Sequence, residues 1–133
     1  MRRSYRSFRY AMEGLTHAVS TERNLRHFVI CYGGVLAAGL GFGIGPWEWM
    51  AIIGAGGTFI AVELINTAFE RVVNACDELY RKQGRNHHDA LKQTKDVAAG
   101  AALVTLVAAV LVISIVFYPY MQTLVQNFLY RAA

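Results

Sequence analysis

The sequence predicts an all-α polytopic membrane protein, with three transmembrane helices preceded by an amphipathic helix at the membrane surface. Three observations carry this prediction. Of the 133 residues, 55% are hydrophobic, and the mean hydropathy of +0.31 is too apolar for a water-soluble domain of this size. No charged residue occurs in 28–47, Glu63 alone interrupts 49–69, and 97–117 has none. At 1.5 Å per residue each run spans about 30 Å, the hydrocarbon thickness of a bilayer. The cations, finally, fall in two blocks: Arg2, Arg3, Arg6, Arg9, Arg23 and Arg26 before the first run, and Arg71, Arg81, Lys82, Arg85, Lys92 and Lys95 between the second and third. By the positive-inside rule both blocks are cytoplasmic, so the N-terminus lies inside and the C-terminus outside a multi-pass protein of the cytoplasmic (inner) membrane.

One domain covers 1–133. Tyr5, Phe8, Met12, Leu15 and Val19 recur at spacings of three and four with arginines opposite, which predicts a surface helix over 4–19. Ser20 and Thr21 are good N-cap residues for the next helix, with Glu22 in its first turn. The first span, 28–46, carries Gly33, Ala37, Gly41 and Gly45 at intervals of four, a ridge on which another helix can approach closely. The second span is 49–70 and the third 97–118, opening on the small residues Ala98 to Ala102. Pro119 is expected to end the third, leaving an outer amphipathic tail over 119–133. Trp47, Trp49, Tyr118 and Tyr120 form an outer aromatic belt. The net charge of +4 follows from topology and anionic headgroups and requires no nucleic acid. Neither Cys31 nor Cys76 suggests a disulfide, and adjacent His87 and His88 point to different sides of a helix and make a poor chelate.

Glu63, Asn66, Thr67 and Glu70 share one helical face, because spacings of three, four and seven return to the same side. Asn74 and Asp77 continue it towards the cytoplasm. Carboxylates at membrane depth are costly and usually face a bundle interior, a water-filled cavity or an ion. Two carboxylates seven residues apart can hold a cation or divide the work of base and metal ligand; the structural alternative is polar pairing between helices. No Walker loop, HExxH, GxSxG or metal-binding cysteine cluster occurs.

Glu63-Leu-Ile-Asn66-Thr67-Ala-Phe-Glu70, followed by Lys95-Asp96 ahead of an alanine-rich helix, resembles the signature of the bacterial integral-membrane diacylglycerol kinase and undecaprenol kinase family. Ser7-Phe8-Arg9-Tyr10-Ala11-Met12-Glu13-Gly14 and Thr21-Glu22-Arg23-Asn24 are similar to its N-terminal part, and the resemblance runs to about Tyr118. It implies a homotrimer that transfers the γ-phosphoryl group of MgATP to a lipid hydroxyl at the cytoplasmic interface. By position, the resemblance makes Glu63 the general base and Asn66 its orienting neighbour. Glu22 and Glu70 become the Mg²⁺ ligands, and Lys95, Asp96, Tyr10 and Arg3 contact ATP. Undecaprenol is favoured over diacylglycerol by the Glu-Arg-Asn and Asn-Thr-Ala wording.

The chain departs from the family pattern in carrying Asn74 where an aspartate is usual, and in a loop between Glu70 and Lys95 longer by about two helical turns, or roughly seven residues. His27 stands one residue earlier than the histidine of the Gram-positive members. Two other classes compete: a small cation- or proton-coupled transporter with Glu63 as the exchanging carboxylate, and an inactive membrane scaffold. The polar stripe lies towards the cytoplasmic end and the first and third spans carry no charge in their interiors, which speaks against transport.

Overall fold

A computed structural model describes residues 2–84 and 89–132. The chain forms helices α1 (Arg2–Thr21), α2 (Arg23–Phe42), α3 (Pro46–Lys82) and α4 (Asp89–Ala132). The last three are long and apolar enough to cross a membrane. Their side chains are distributed as a bilayer demands: Ile30, Leu40, Ile53, Leu103, Val104, Leu111 and Ile115 are exposed, while Glu63, Asn66 and Thr67 are buried. Water would penalise that pattern and lipid favours it.

The helix ends follow local chemistry. Gly43 stops α2 in the left-handed conformation at φ 65°, which a side chain would disfavour, and the N–H of Ile44 then bonds the Gly39 carbonyl at 3.2 Å. Pro46 opens α3, and the Glu48 carboxylate reaches back to accept the Gly45 N–H at 2.6 Å, the half of a capping box that a glycine N-cap permits. Tyr120 of α4 donates to the same carboxylate at 2.8 Å. The outer ends of α3 and α4 are thereby clamped together.

α3 and α4 pack along their length, whereas α2 meets α3 at few points. The buried stripe of α3 runs Ile52, Gly56, Phe59, Glu63, Asn66, Thr67, Val73, apolar at the outer end and polar towards the cytoplasm. Ala102 and Ala109 of α4 are buried, so its small residues do admit a close neighbour. α2 touches α3 where Tyr32 lies over Gly56, and among the described residues its ring contacts with α4 fall at its far end, where Phe42 meets Phe117 and Tyr120 at 5.9 and 5.6 Å. A wedge-shaped gap therefore opens between α2 and α4. A Cβ added at Gly33 or Gly41 meets nothing within 4 Å, so the glycine ridge of α2 is not used by this chain's own helices.

Several expectations are corrected. Ser20 and Thr21 do not cap α2 but end α1, their hydroxyls bonding back to the His17 carbonyl at 2.8 Å, and Glu22 is the N-cap residue. Pro119 does not end the third membrane-crossing helix. α4 runs through it to Ala132, because a proline removes one N–H and the aromatic contacts of Phe117 and Tyr120 hold the flanking turns. The helix that carries the second span does not stop near Glu70, since α3 continues three turns further to Lys82. His87 and His88 lie outside the described residues.

Candidate active site

The polar half of the α3 stripe faces the junction between α1 and α2. Glu63, Asn66 and Thr67 are 8, 9 and 5% exposed, and Glu70 lies one turn beyond, half-buried. Opposite them, Glu22 sits in extended conformation (φ −91°, ψ 113°) between two helices. This break turns its side chain across to α3. Glu22, Arg23, Asn24, Glu63, Asn66, Thr67 and Glu70 together line a polar pocket of about 250 Å³.

Asn24, Glu63, Asn66 and Glu70 also form one end of a second, longer space of about 680 Å³. This is the gap between α2 and α4, walled by Phe28, Val35, Leu103, Leu106, Val110 and Ile113. A polar chamber and an apolar cleft thus meet at the same four side chains. From Ala99 to Ser114 the cleft follows α4 for about 22 Å at 1.5 Å per residue.

Charge and hydrogen bonding at the junction are uneven. The Asn66 amide lies beside Glu63, and Glu70 and Glu22 are near enough to act on Glu63 as like charges. Asn66 Oδ1 is buried without a partner, an acceptor left for an incoming donor or cation. Arg71 pairs with Glu22 at 3.1 Å. Lys95 reaches from α4 to donate to Asn74 Oδ1 at 3.1 Å. Asn74, where the resemblance implies an aspartate, is thus the residue that holds the lysine.

Four of the residues singled out from sequence, Glu22, Glu63, Asn66 and Glu70, are brought together. Lys95 and Asp96 are not among the residues lining the pocket; Lys95 reaches Asn74, one turn past Glu70, and Asp96 is exposed on α4. Tyr10 is not brought to the pocket; it is 59% exposed on α1, with the Arg9 guanidinium 5.3 Å from its ring centroid. Arg3 lies in the first turn of α1 and its side chain falls outside the described residues. Among the described residues no three His, Cys, Asp or Glu side chains form a metal cluster. The pair Glu22 and Glu70 nevertheless fits Mg²⁺, which commonly takes one or two protein carboxylates and completes its shell with phosphate and water. The unpartnered Asn66 oxygen adds a neutral acceptor close by. Sequence reasoning gave no role to Asn24 or Arg71. Asn24 had a signal in its place two residues after Glu22, but the Arg71 contact spans 49 positions and leaves no local trace.

The family model described as prokaryotic diacylglycerol kinase matches residues 9–117. The chain is 31% identical over 119 residues to the undecaprenol kinase of Bacillus subtilis (strain 168), covering 90% of this chain and 91% of that one. It is 33% identical over 106 residues to the diacylglycerol kinase of Synechocystis, covering 80% of this chain and 57% of the relative. A membrane protein with a Glu-x-x-Asn-Thr-Ala-x-x-Glu stripe at the mouth of an apolar cleft, matched by that family model over most of its length, belongs to the prokaryotic diacylglycerol kinase family and is a lipid kinase.

Proposed function

We propose that this kinase transfers the γ-phosphoryl group of ATP, with Mg²⁺, to the hydroxyl of a membrane lipid alcohol at the cytoplasmic face of the membrane, undecaprenol in preference to diacylglycerol. The observation that carries the reading is the meeting of polar pocket and apolar cleft at Glu63, Asn66 and Glu70. A lipid lying in the cleft would place its hydroxyl beside Glu63. Glu63 would accept the hydroxyl proton as the lipid oxygen bonds to the γ-phosphorus and the bond to the β-phosphate oxygen breaks, releasing ADP. Asn66 would hold the Glu63 carboxylate in orientation through its amide. Glu22 and Glu70 would hold Mg²⁺, which supplies charge neutralisation on the phosphate oxygens when bound. Lys95 would add a positive charge to the same phosphates, with Asp96 fixing the nucleotide. The preference for undecaprenol is supported by the Bacillus relative, which aligns over nine-tenths of both chains.

The reading includes a homotrimer with shared sites, the N-terminus cytoplasmic, the C-terminus outside, and α1 lying in the cytoplasmic membrane surface. The exposed stripe Tyr5, Phe8, Met12 and Leu15 supports the last. The distance of Tyr10 from the pocket and the unfilled face at Gly33 and Gly41 support a neighbouring subunit completing the site. The test is purified protein with labelled ATP, magnesium and a panel of lipid alcohols. Labelled phospholipid should form, fastest from undecaprenol. No label on any alcohol would overturn the reaction, and faster labelling of diacylglycerol would overturn the preference.

A further inference from the structure

Arg71 has no part in the roles given above, yet it reaches the site from α3. Its Nη2 lies 3.1 Å from Glu22 Oε1 and 2.7 Å from Thr21 Oγ1. Glu22 needs such a contact. Standing at the break between α1 and α2, its side chain makes no capping bond to its own helix, so the contact across to α3 is what directs the carboxylate. The guanidinium takes Oε1 and leaves Oε2 for a ligand. It also sets a positive charge against one of the three carboxylates at a pocket that Arg23 lines as well.

We infer that Arg71 is a positioning residue for the divalent-cation site, fixing the orientation of the Glu22 carboxylate; this rests on the reading in which Glu22 and Glu70 hold Mg²⁺. Carboxylates that ligate metals are themselves hydrogen-bonded, and loss of such a partner typically costs about 10- to 100-fold in metal affinity. A guanidinium also repels a nearby cation. Through a water-filled, salt-screened pocket mouth with the dielectric of bulk water, at a separation of about 6 Å, that repulsion amounts to only about threefold. Orientation therefore wins, and removing Arg71 weakens cation binding by about 3- to 30-fold. Stability is not the main effect, because the Arg71 and Glu22 side chains are 42% and 32% exposed and ion pairs at that exposure contribute little.

The experiment measures Mn²⁺ binding without turnover, by electron paramagnetic resonance of the free ion, on the full chain in detergent with a non-hydrolysable ATP analogue. Wild type is compared with Glu22→Gln, Arg71→Met, Arg71→Gln and Arg71→Lys, each checked for its unfolding midpoint. Glu22→Gln should weaken binding severely. Arg71→Met and Arg71→Gln should raise the Kd by about 3- to 30-fold, with Arg71→Lys between them and wild type, since it keeps the charge but presents a point donor in place of the fork. Either neutral variant suffices if the other does not fold. Unchanged or tighter Mn²⁺ binding in the neutral variants, beside a weakened Glu22→Gln, would overturn the role of Arg71 alone. Unchanged binding in Glu22→Gln would overturn the cation site on which it rests.

Discussion

Replacing Gly56 by alanine tests how α2 is seated on α3. A methyl group there overlaps the Tyr32 ring, whose hydroxyl donates to the Ile52 carbonyl at 3.0 Å and whose face stacks on Phe28 at 5.5 Å. Phe28 in turn packs on Phe59 at 4.1 Å. Ile52 and Phe59 are 0 and 5% exposed and have nowhere to go, so Tyr32 swings into the open cleft. The lost hydrogen bond costs about 0.5–1.5 kcal/mol and the lost aromatic contact about as much again, together about 1–3 kcal/mol. Alanine returns up to about 1 kcal/mol in helix propensity, leaving a net destabilisation of about 0–2 kcal/mol. In a Tyr32→Ala background the clash is absent and the same substitution should stabilise by up to about 1 kcal/mol. Unfolding in mixed detergent and dodecyl sulfate micelles, run as a double-mutant cycle, reads both values. An equal effect of Gly56→Ala in the two backgrounds would refute the seating of Tyr32 on Gly56. The displaced ring also occupies the cleft, so KM for the lipid should rise in the single mutant while KM for ATP holds.

Three further outcomes are expected. Glu63→Gln keeps the shape and hydrogen bonding of the side chain but cannot accept a proton, so turnover should fall by about 10²- to 10⁴-fold with nucleotide binding retained; a fully active variant would sink the base assignment. Tyr120→Phe removes the α4 donor to Glu48 and should lower the unfolding midpoint without changing activity per folded molecule, and an unchanged midpoint would show that the outer clamp holds nothing. A reporter fused after the C-terminus should be active only in its extracytoplasmic form, since twelve of the thirteen Lys and Arg residues precede the third span; cytoplasmic activity would reverse the topology.

The helices were legible because charge-free runs and the 3.6-residue period are local properties. The same period placed Glu63, Asn66 and Glu70 on one face before any contact was known. What sequence reasoning misplaced depended on competition between alternatives. Ser20 and Thr21 are favourable caps for α2, but their hydroxyls found carbonyls one turn back in α1 first. Pro119 signals a helix end in water. Here it costs one backbone bond, and the aromatic cluster with Phe42 keeps the helix intact. The residues after Glu70 read as a loop because they are polar and charged, although nothing in them breaks a helix until Gly84 turns the chain at φ 69°. In the sequence Arg71 reads only as a topological charge, since its pairing with Glu22 arises from the packing of two distant helices.

The two spaces that meet at Glu63 have mouths of opposite polarity, and on the proposed reading this dictates the rate law. A nucleotide comes from water and a lipid alcohol slides laterally between α2 and α4, so neither must depart before the other arrives. The kinetics should then be those of a ternary complex, with the lipid's mole fraction in the bilayer, and not its bulk concentration, as the governing variable. Phosphorylation also gives the acceptor about −1.5 to −2 charges at neutral pH, which the cleft wall of Phe28, Leu106 and Val110 cannot solvate. The new headgroup is drawn outward to the aqueous interface, and the reaction acquires a direction of exit from the polarity of its own product.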